Sequence, residues 1–358
     1  MEKKRIYALD LLRSVAIIFV IILHSVTLSG VLSREILSPF WTLSLYARHL
    51  AFSCVPLFIM LTGYLQRKKT LSPAFYKGII PVGVSYIIIS VLSLIAKSYA
   101  DSTIVLTPSL VITKILDFSA NDYAWYFEMY IGLFLLIPFL NILYNNIGTK
   151  GTKLTLIITL AFLTLAPETL KSFSPSYTGG LLSLNFIPDF FADMYPLTYY
   201  FIGAYFNEYK PFGKFCGAKR LVRLLMALSA PLVPTALCFI YTKANGAYAW
   251  YMMNGMNTLT IMFTAISVFA LLYDLEPRLG ALKFIVKTVS ESTFEIYLLS
   301  FIFDSFYYRT VSYCTPVMVL LVFVSSLMSA VILRLVIIKP LSALLVRLYV
   351  KCTDKSRV

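Results

Sequence analysis

Charge is scarce in this chain: only 13% of its 358 residues are Asp, Glu, Lys or Arg. Soluble domains carry roughly a quarter, so a water-facing surface of ordinary size is excluded. Histidine is scarcer still, with only His24 and His49. The five cysteines, Cys54, Cys216, Cys238, Cys314 and Cys352, are scattered and never paired at metal-ligand spacing. No metal site is expected, and the cysteines read as small apolar side chains. No cleavable signal peptide is evident: the first apolar stretch follows MEKKR directly, runs past signal length and lacks a small-residue cleavage site. No loop is long enough to hold a soluble domain. No internal repeat is visible, which weakens a transporter built from symmetric halves.

What remains is apolar: 59% of residues are hydrophobic and the mean hydropathy is +0.80. Many segments reach the roughly 20 residues that cross a hydrocarbon core. Ten spans are expected, near 8–28, 46–65, 78–98, 124–144, 154–171, 191–207, 219–241, 252–273, 289–308 and 313–337. The fold class is therefore all-α, a polytopic membrane helical bundle. Residues 1–340 form one integral-membrane domain, and 341–358 a basic interfacial tail in which apolar and basic residues alternate. A short surface helix is expected near 104–120, and the Ser-, Pro- and Gly-rich stretch 172–189 reads as a loop with a re-entrant piece.

The net charge of +14 would suit a nucleic-acid partner, but the basic residues fall in loops between spans. Alternate loops hold 22 and seven of the Lys and Arg residues, while Arg13 and Arg334 lie within spans. Such asymmetry is the positive-inside pattern and puts both termini in the cytoplasm, with membrane lipids rather than nucleic acid as surroundings.

The first span, LDLLRSVAIIFVIILHS, contains Arg13 and His24. Apolar spans tolerate such residues poorly. Eleven positions at 100° each is three turns plus about 20°, so both side chains share one face, about 16 Å apart along the axis. Read structurally, Arg13 snorkels to one interface and His24 sits at the other. Read chemically, they mark a polar path, with His24 a general base and Arg13 an anion site. Asp10, three positions before Arg13, could pair with it.

Four more groups stand out. Arg48 and His49 lie at the outer start of the second span as sequence defines it, and His49 reads as an interfacial or structural histidine. Pro56 interrupts that span's hydrogen bonding and Gly63 permits close packing. Arg67, Lys68 and Lys69 at its inner end are either a positive-inside stop signal or a phosphate-binding cluster. In NDYAWYFEMYIGLFLLIPFLN, Trp125 belongs to an aromatic belt, whereas Glu128 lies a turn into an apolar span and should face protein or water. In SESTFEIYLLSFIFD, Glu295, Ser300 and Asp304 are candidates for polar contacts inside the bundle, while Glu291 belongs to the interface.

In this order, these stretches resemble acyltransferase family 3, membrane O-acyltransferases best known in bacteria for acylating cell-surface sugars. The Arg and His of the first span, ten residues between them, resemble the family's hallmark. CVPLFIMLTGYL, AWYFEMYIGLFLLIPFLN and STFEIYLLS are similar to its second-span, fourth-span and late T-F-x-I-Y-L elements. The resemblance implies transfer of an acyl group, usually acetyl, from cytoplasmic acyl-CoA to a glycan or lipid-linked sugar hydroxyl at the bacterial inner membrane. Separate glycan-assembly proteins are then expected partners. The resemblance implies His24 as the essential histidine and Arg13 with the basic cluster Arg67, Lys68 and Lys69 as donor-binding groups. Glu128 is then a catalytic candidate that orients His24, with Asp10, Arg48, His49, Trp125, Glu295, Ser300 and Asp304 in support. Two departures stand out: Ser300 occupies a position where many members carry a histidine, and the cluster is RKK rather than two spaced arginines. A transporter or exporter of a small solute or glycan, using the same polar path, is the competing expectation. A scaffold without chemistry would leave Arg13, His24 and Glu128 without a role.

Overall fold

The computed structural model describes residues 5–174, 188–213, 217–310 and 316–355. Lys3, Lys4, Lys214, Cys216, Cys314, Arg357 and nearly all of the proposed re-entrant stretch lie outside the described residues. Among the described residues the chain is helical with no strand. In chain order the helices are α1 (Tyr7–Leu28), α2 (Pro39–Ala51), α3 (Cys54–Gln66), α4 (Ile80–Ala100), α5 (Pro108–Leu116), α6 (Trp125–Asn146), α7 (Lys150–Thr164) and α8 (Tyr195–Tyr209). They continue with α9 (Gly217–Ser229), α10 (Leu232–Asn245), α11 (Leu259–Leu272), α12 (Gly280–Glu291), α13 (Thr293–Thr310), α14 (Pro316–Leu333) and α15 (Lys339–Lys355).

Local chemistry sets many of the starts. Ser38, Thr107, Thr149 and Thr258 each accept a backbone N–H of the first turn, and Pro39 and Pro108 fill a position whose N–H would otherwise be unpaired. The Ser38–Pro39 start has a consequence for function. It begins the second span seven residues earlier than hydropathy alone predicts, so Arg48 and His49 fall in the last turn of α2, inside the apolar stretch Pro39–Gln66 rather than at its start. Pro56, lacking an N–H, sits one turn after the bend at Phe52–Ser53 that separates α2 from α3.

Seven helical stretches are long and apolar enough to cross a membrane, by length and composition: Tyr7–Leu28, Pro39–Gln66, Pro73–Ala100, Trp125–Asn146, Lys150–Lys171, Lys219–Asn245 and Pro316–Cys352. This does not reach the ten expected. The other three expected spans fall on α8, α11 and α13, of 15, 14 and 18 residues. At 1.5 Å per residue, α8 and α11 extend only about 21–22 Å against a core of about 30 Å, and α13 carries Glu295, Asp304 and Arg309. The short helix expected near 104–120 is α5. The tail continues α14 through a π-helical turn at Arg334–Ile338 into α15.

The chain divides into two compact units. The first comprises Met1–Lys68 and Leu143–Ser290. Its most extensive packing is between α3 and α8, with α1 lying against α2, α3 and α11, and α9 against α11. The α3–α8 crossing depends on two glycines. A Cβ on Gly63 would overlap the Tyr200 carbonyl, and one on Gly203 would overlap that of Met60. The two backbones are therefore in direct contact, as small residues allow in membrane helix pairs. Arg223 of α9, which sequence assigns to a loop, is instead buried. It donates to Asp274 (2.7 Å) and to the Ala270 (3.0 Å) and Phe212 (3.0 Å) carbonyls.

The second unit comprises Lys69–Ile142 and Glu291–Val358. Here α13 packs against α14 and α4, and α15 against α4. Leu135, Leu136 and Phe139 on α6 and Leu320, Val324 and Met328 on α14 are exposed, the faces that lipid would cover.

Gly203→Ala is expected to destabilise the protein by about 1–3 kcal/mol, the usual range for overpacking. Gly132→Ala, where a Cβ meets nothing within 4 Å, should leave stability unchanged or slightly raised, since alanine is the better helix former. Melting of both variants in detergent checks this; equal melting temperatures would contradict the crossing.

Candidate active site

The candidate residues of the first unit fall into three groups, two of them along α1. Near its start, Asp10 is buried and accepts both Nε and Nη2 of Arg5, at 2.6 and 3.1 Å. The Ser290 hydroxyl donates to Asp10 (2.7 Å) and accepts from Arg13 Nη1 (3.0 Å). Asp10 and Arg13 are thus linked through Ser290, from the end of α12. A second hydroxyl, Ser14, donates to the Asp10 carbonyl (2.8 Å) and lies 3.2 Å from that of Val286, pinning α12 to α1.

Two turns and more beyond lies His24, half-buried. One turn further, Thr27 donates its hydroxyl proton to the Leu23 carbonyl (2.7 Å), and its oxygen accepts from Arg48 Nη1. Arg48 Nη2 donates to the Asn254 side-chain oxygen at 2.8 Å. The guanidinium also lies 4.9 Å over the Phe52 ring and within reach of the Tyr248 phenol. Its positive charge acts directly on His24. His49 is fully buried, with Nδ1 3.1 Å from the Thr235 hydroxyl oxygen. That hydroxyl gives its one proton to the Pro231 carbonyl (2.7 Å), so His49 Nδ1 must be the donor. His49 fastens α2 to α10, as a structural histidine does.

The third group lies just beyond the α3–α8 crossing. Arg67 donates to Asn207 (3.3 Å) and pairs with Glu208 (3.3 Å). Glu208 also accepts the buried Lys153 ammonium through both oxygens, each at 3.0 Å, and Lys153 lies 4.5 Å over the Tyr144 ring. Arg67 is therefore partly neutralised. Lys68, and Lys69 at the start of the second unit, are exposed and hold no ion pair among the described residues.

The other candidates belong to the second unit. Glu295 is buried, accepting from Ser85 (2.8 Å) and pairing with Arg334 (3.5 Å) at the π-helical turn. Ser300 is buried and donates to the Tyr297 carbonyl (2.7 Å). Asp304 is buried and accepts from the Tyr123 phenol (2.8 Å). Burial and then the Asp304 carboxylate push the Tyr123 phenol above its ordinary range, so it remains the donor. Trp125 is exposed and edge-on to Tyr126. Glu128 is exposed, and no hydrogen bond or ion pair orients it among the described residues.

Sequence reasoning missed Ser290, Asn254, Lys153, Glu208 and Tyr123 as partners. Ser290 opens the acid-rich run SESTFEIYLLSFIFD, whose carboxylates are the stronger sequence signal. Glu208, a lone acid beside the basic stretch after α8, was the one available signal for Arg67. Asn254 carried none: it lies in a loop 206 residues from Arg48. Among the described residues no cluster of three His, Cys, Asp or Glu could hold a metal ion.

A family model described as "Acyltransferase domain" matches residues 6–335, nearly the whole chain, including α1 through α14 and every candidate site residue from Asp10 to Asp304. No curated protein and no solved structure matches the chain.

Glu208→Gln should leave Arg67 and the buried Lys153 without their carboxylate. Breaking a fully buried pair costs about 3–5 kcal/mol. Glu208 keeps 24% of its side chain open, so solvent screening lowers the expected loss to about 2 kcal/mol. Lys153→Gln, which leaves Arg67 on Glu208, should cost less. Detergent melting of both variants reads the order.

Proposed function

The chain belongs to acyltransferase family 3, and from that premise we propose that it is an integral-membrane O-acyltransferase with His24 as its central base. The family match over residues 6–335 carries the acyltransferase reading, and the seven apolar helices support a membrane setting for it. The proposed donor is cytoplasmic acyl-CoA, with acetyl as the first acyl group to test. The proposed acceptor is a hydroxyl of a cell-surface or lipid-linked glycan, and the proposed location is a bacterial inner membrane with both termini inside.

In this reaction a neutral His24 takes the proton of the acceptor hydroxyl. The alkoxide-like oxygen attacks the thioester carbonyl carbon, the carbon–sulfur bond breaks, and the leaving thiolate receives the proton. The alternative order transfers the acyl group to His24 first and then to the hydroxyl. Arg13 supports donor binding because its guanidinium is positioned by Ser290 and the buried Asp10. Lys68 and Lys69 are exposed cations suited to phosphates, whereas Arg67 already shares Glu208. Glu128, exposed and in the second unit, is given no part in this reaction.

His24→Ala is expected to lower acyl transfer at least ~100-fold, the lower end for a lost general base, with unchanged melting. Arg13→Gln is expected to raise KM for acyl-CoA more than it lowers kcat. Mass spectrometry of surface glycans from cells with and without the functional chain should show a loss of acetyl-sized increments. A His24→Ala protein with full transfer activity would overturn the proposal.

A further inference from the structure

Arg48 is the least expected cation of the first unit. Its side chain is buried, yet its hydrogen-bond partners are neutral: the Thr27 hydroxyl, the Asn254 amide oxygen and the Tyr248 phenol. No carboxylate lies within ion-pair distance of it among the described residues, and its Nε is buried with no hydrogen-bond partner. Arginine cannot discharge itself, and a buried charge without a counter-charge is costly. The other buried cations behave differently: Arg223 has Asp274 and Lys153 has Glu208.

The cover over this charge is thin. Thr27 and Asn254 are both exposed, although the guanidinium they hold is not. Asn254 follows Met253, whose φ of 53° is left-handed, a conformation a non-glycine residue adopts only at a cost. The loop is held there by Ser172, whose hydroxyl accepts the Met253 N–H (3.2 Å). The backbone is thus constrained where it lays a neutral amide over the cation. Thr27 is three residues past His24, so it shares the His24 face of α1. The guanidinium that grips Thr27 is therefore anchored one turn along α1 from His24, on the same face.

We infer that Arg48 is the receptor for a negatively charged oxygen in the His24 site, with the Thr27 and Asn254 side chains as its displaceable cover. The inference rests on the proposed role of His24 in placing the reaction there. The oxygen has two sources. One is the oxyanion that develops on the acyl carbonyl when the acceptor attacks, which a fixed donor would stabilise. The other is a carboxylate or phosphate of the acceptor, which a guanidinium binds through two hydrogen bonds.

Inorganic phosphate is the probe, with the purified full chain in detergent. Phosphate should raise the melting temperature of the wild type, and Arg48→Gln should weaken the apparent phosphate affinity at least tenfold. Without phosphate, Arg48→Gln should melt no lower than wild type, because the uncompensated charge is gone. A purely structural arginine would give the reverse: lower melting and an unchanged phosphate response, which overturns the inference. Should Arg48→Gln fail to fold, Asn254→Ala decides. Uncovering Nη2 should strengthen phosphate binding severalfold, and an unchanged response again overturns it. These readouts need no turnover, so they stand apart from any failure of the acyltransferase proposal. Acetyl-CoA hydrolysis without acceptor then distinguishes the sources. A loss of about 10²-fold or more in kcat for Arg48→Gln assigns the acyl oxyanion. Intact hydrolysis with lost glycan acylation assigns the acceptor's anion. Intact hydrolysis with intact acylation overturns both.

Discussion

The backbone contact between α3 and α8 is the constraint on which the first unit depends. Gly63 and Gly203 let the two helices meet with no side chain between them. One turn beyond each glycine come Arg67, the C-cap of α3, and Asn207 with Glu208 on α8, and these are the residues that pair. The ion cluster with Lys153 is thus a product of the crossing: helices held farther apart would separate the same side chains. α1 in turn lies on α3, so the axis that carries Arg13 and His24 is set by the same contact.

Three cationic or titratable side chains of this unit, Arg13, Arg48 and His49, are each held by a hydroxyl. Ser290 relays Asp10 to Arg13, Thr27 anchors Arg48, and Thr235 fixes the tautomer of His49. A hydroxyl brings one donor and two acceptor sites without a charge of its own. It can orient an ionised group in an apolar setting while leaving that group's charge available to a ligand. Where the charges are meant to cancel, carboxylates are used instead, as Asp274 for Arg223 and Glu208 for Lys153.

Periodicity made the Arg13–His24 face and the helical fold class readable from sequence, because both follow from local geometry. The assignment of basic residues to loops needs correction at Lys153, Arg223 and Arg48, which are buried. The position of Arg48 was not read correctly because hydropathy averages over a window, and the polar Thr42 and Ser44 mask a start that Ser38 and Pro39 specify. The partners were invisible for a different reason: Ser290 is 277 residues from Arg13 and Glu208 is 55 from Lys153. Such pairs are set by packing, and one sequence records no packing. Three expected spans fall on short helices because hydropathy counts apolar residues on either side of a helix end as readily as inside it.

The glycine crossing also bears on how the chain is made. About 140 residues separate Gly63 from Gly203. At ribosomal speeds of about 5–20 residues per second, α8 emerges on the order of ten seconds after α3. Throughout that interval the groove at Gly63 has no partner and exposes backbone carbonyls that α8 will later cover. The early helices must therefore persist as a partly assembled group until α8 arrives to close the seam, the most extensive helix packing among the described residues.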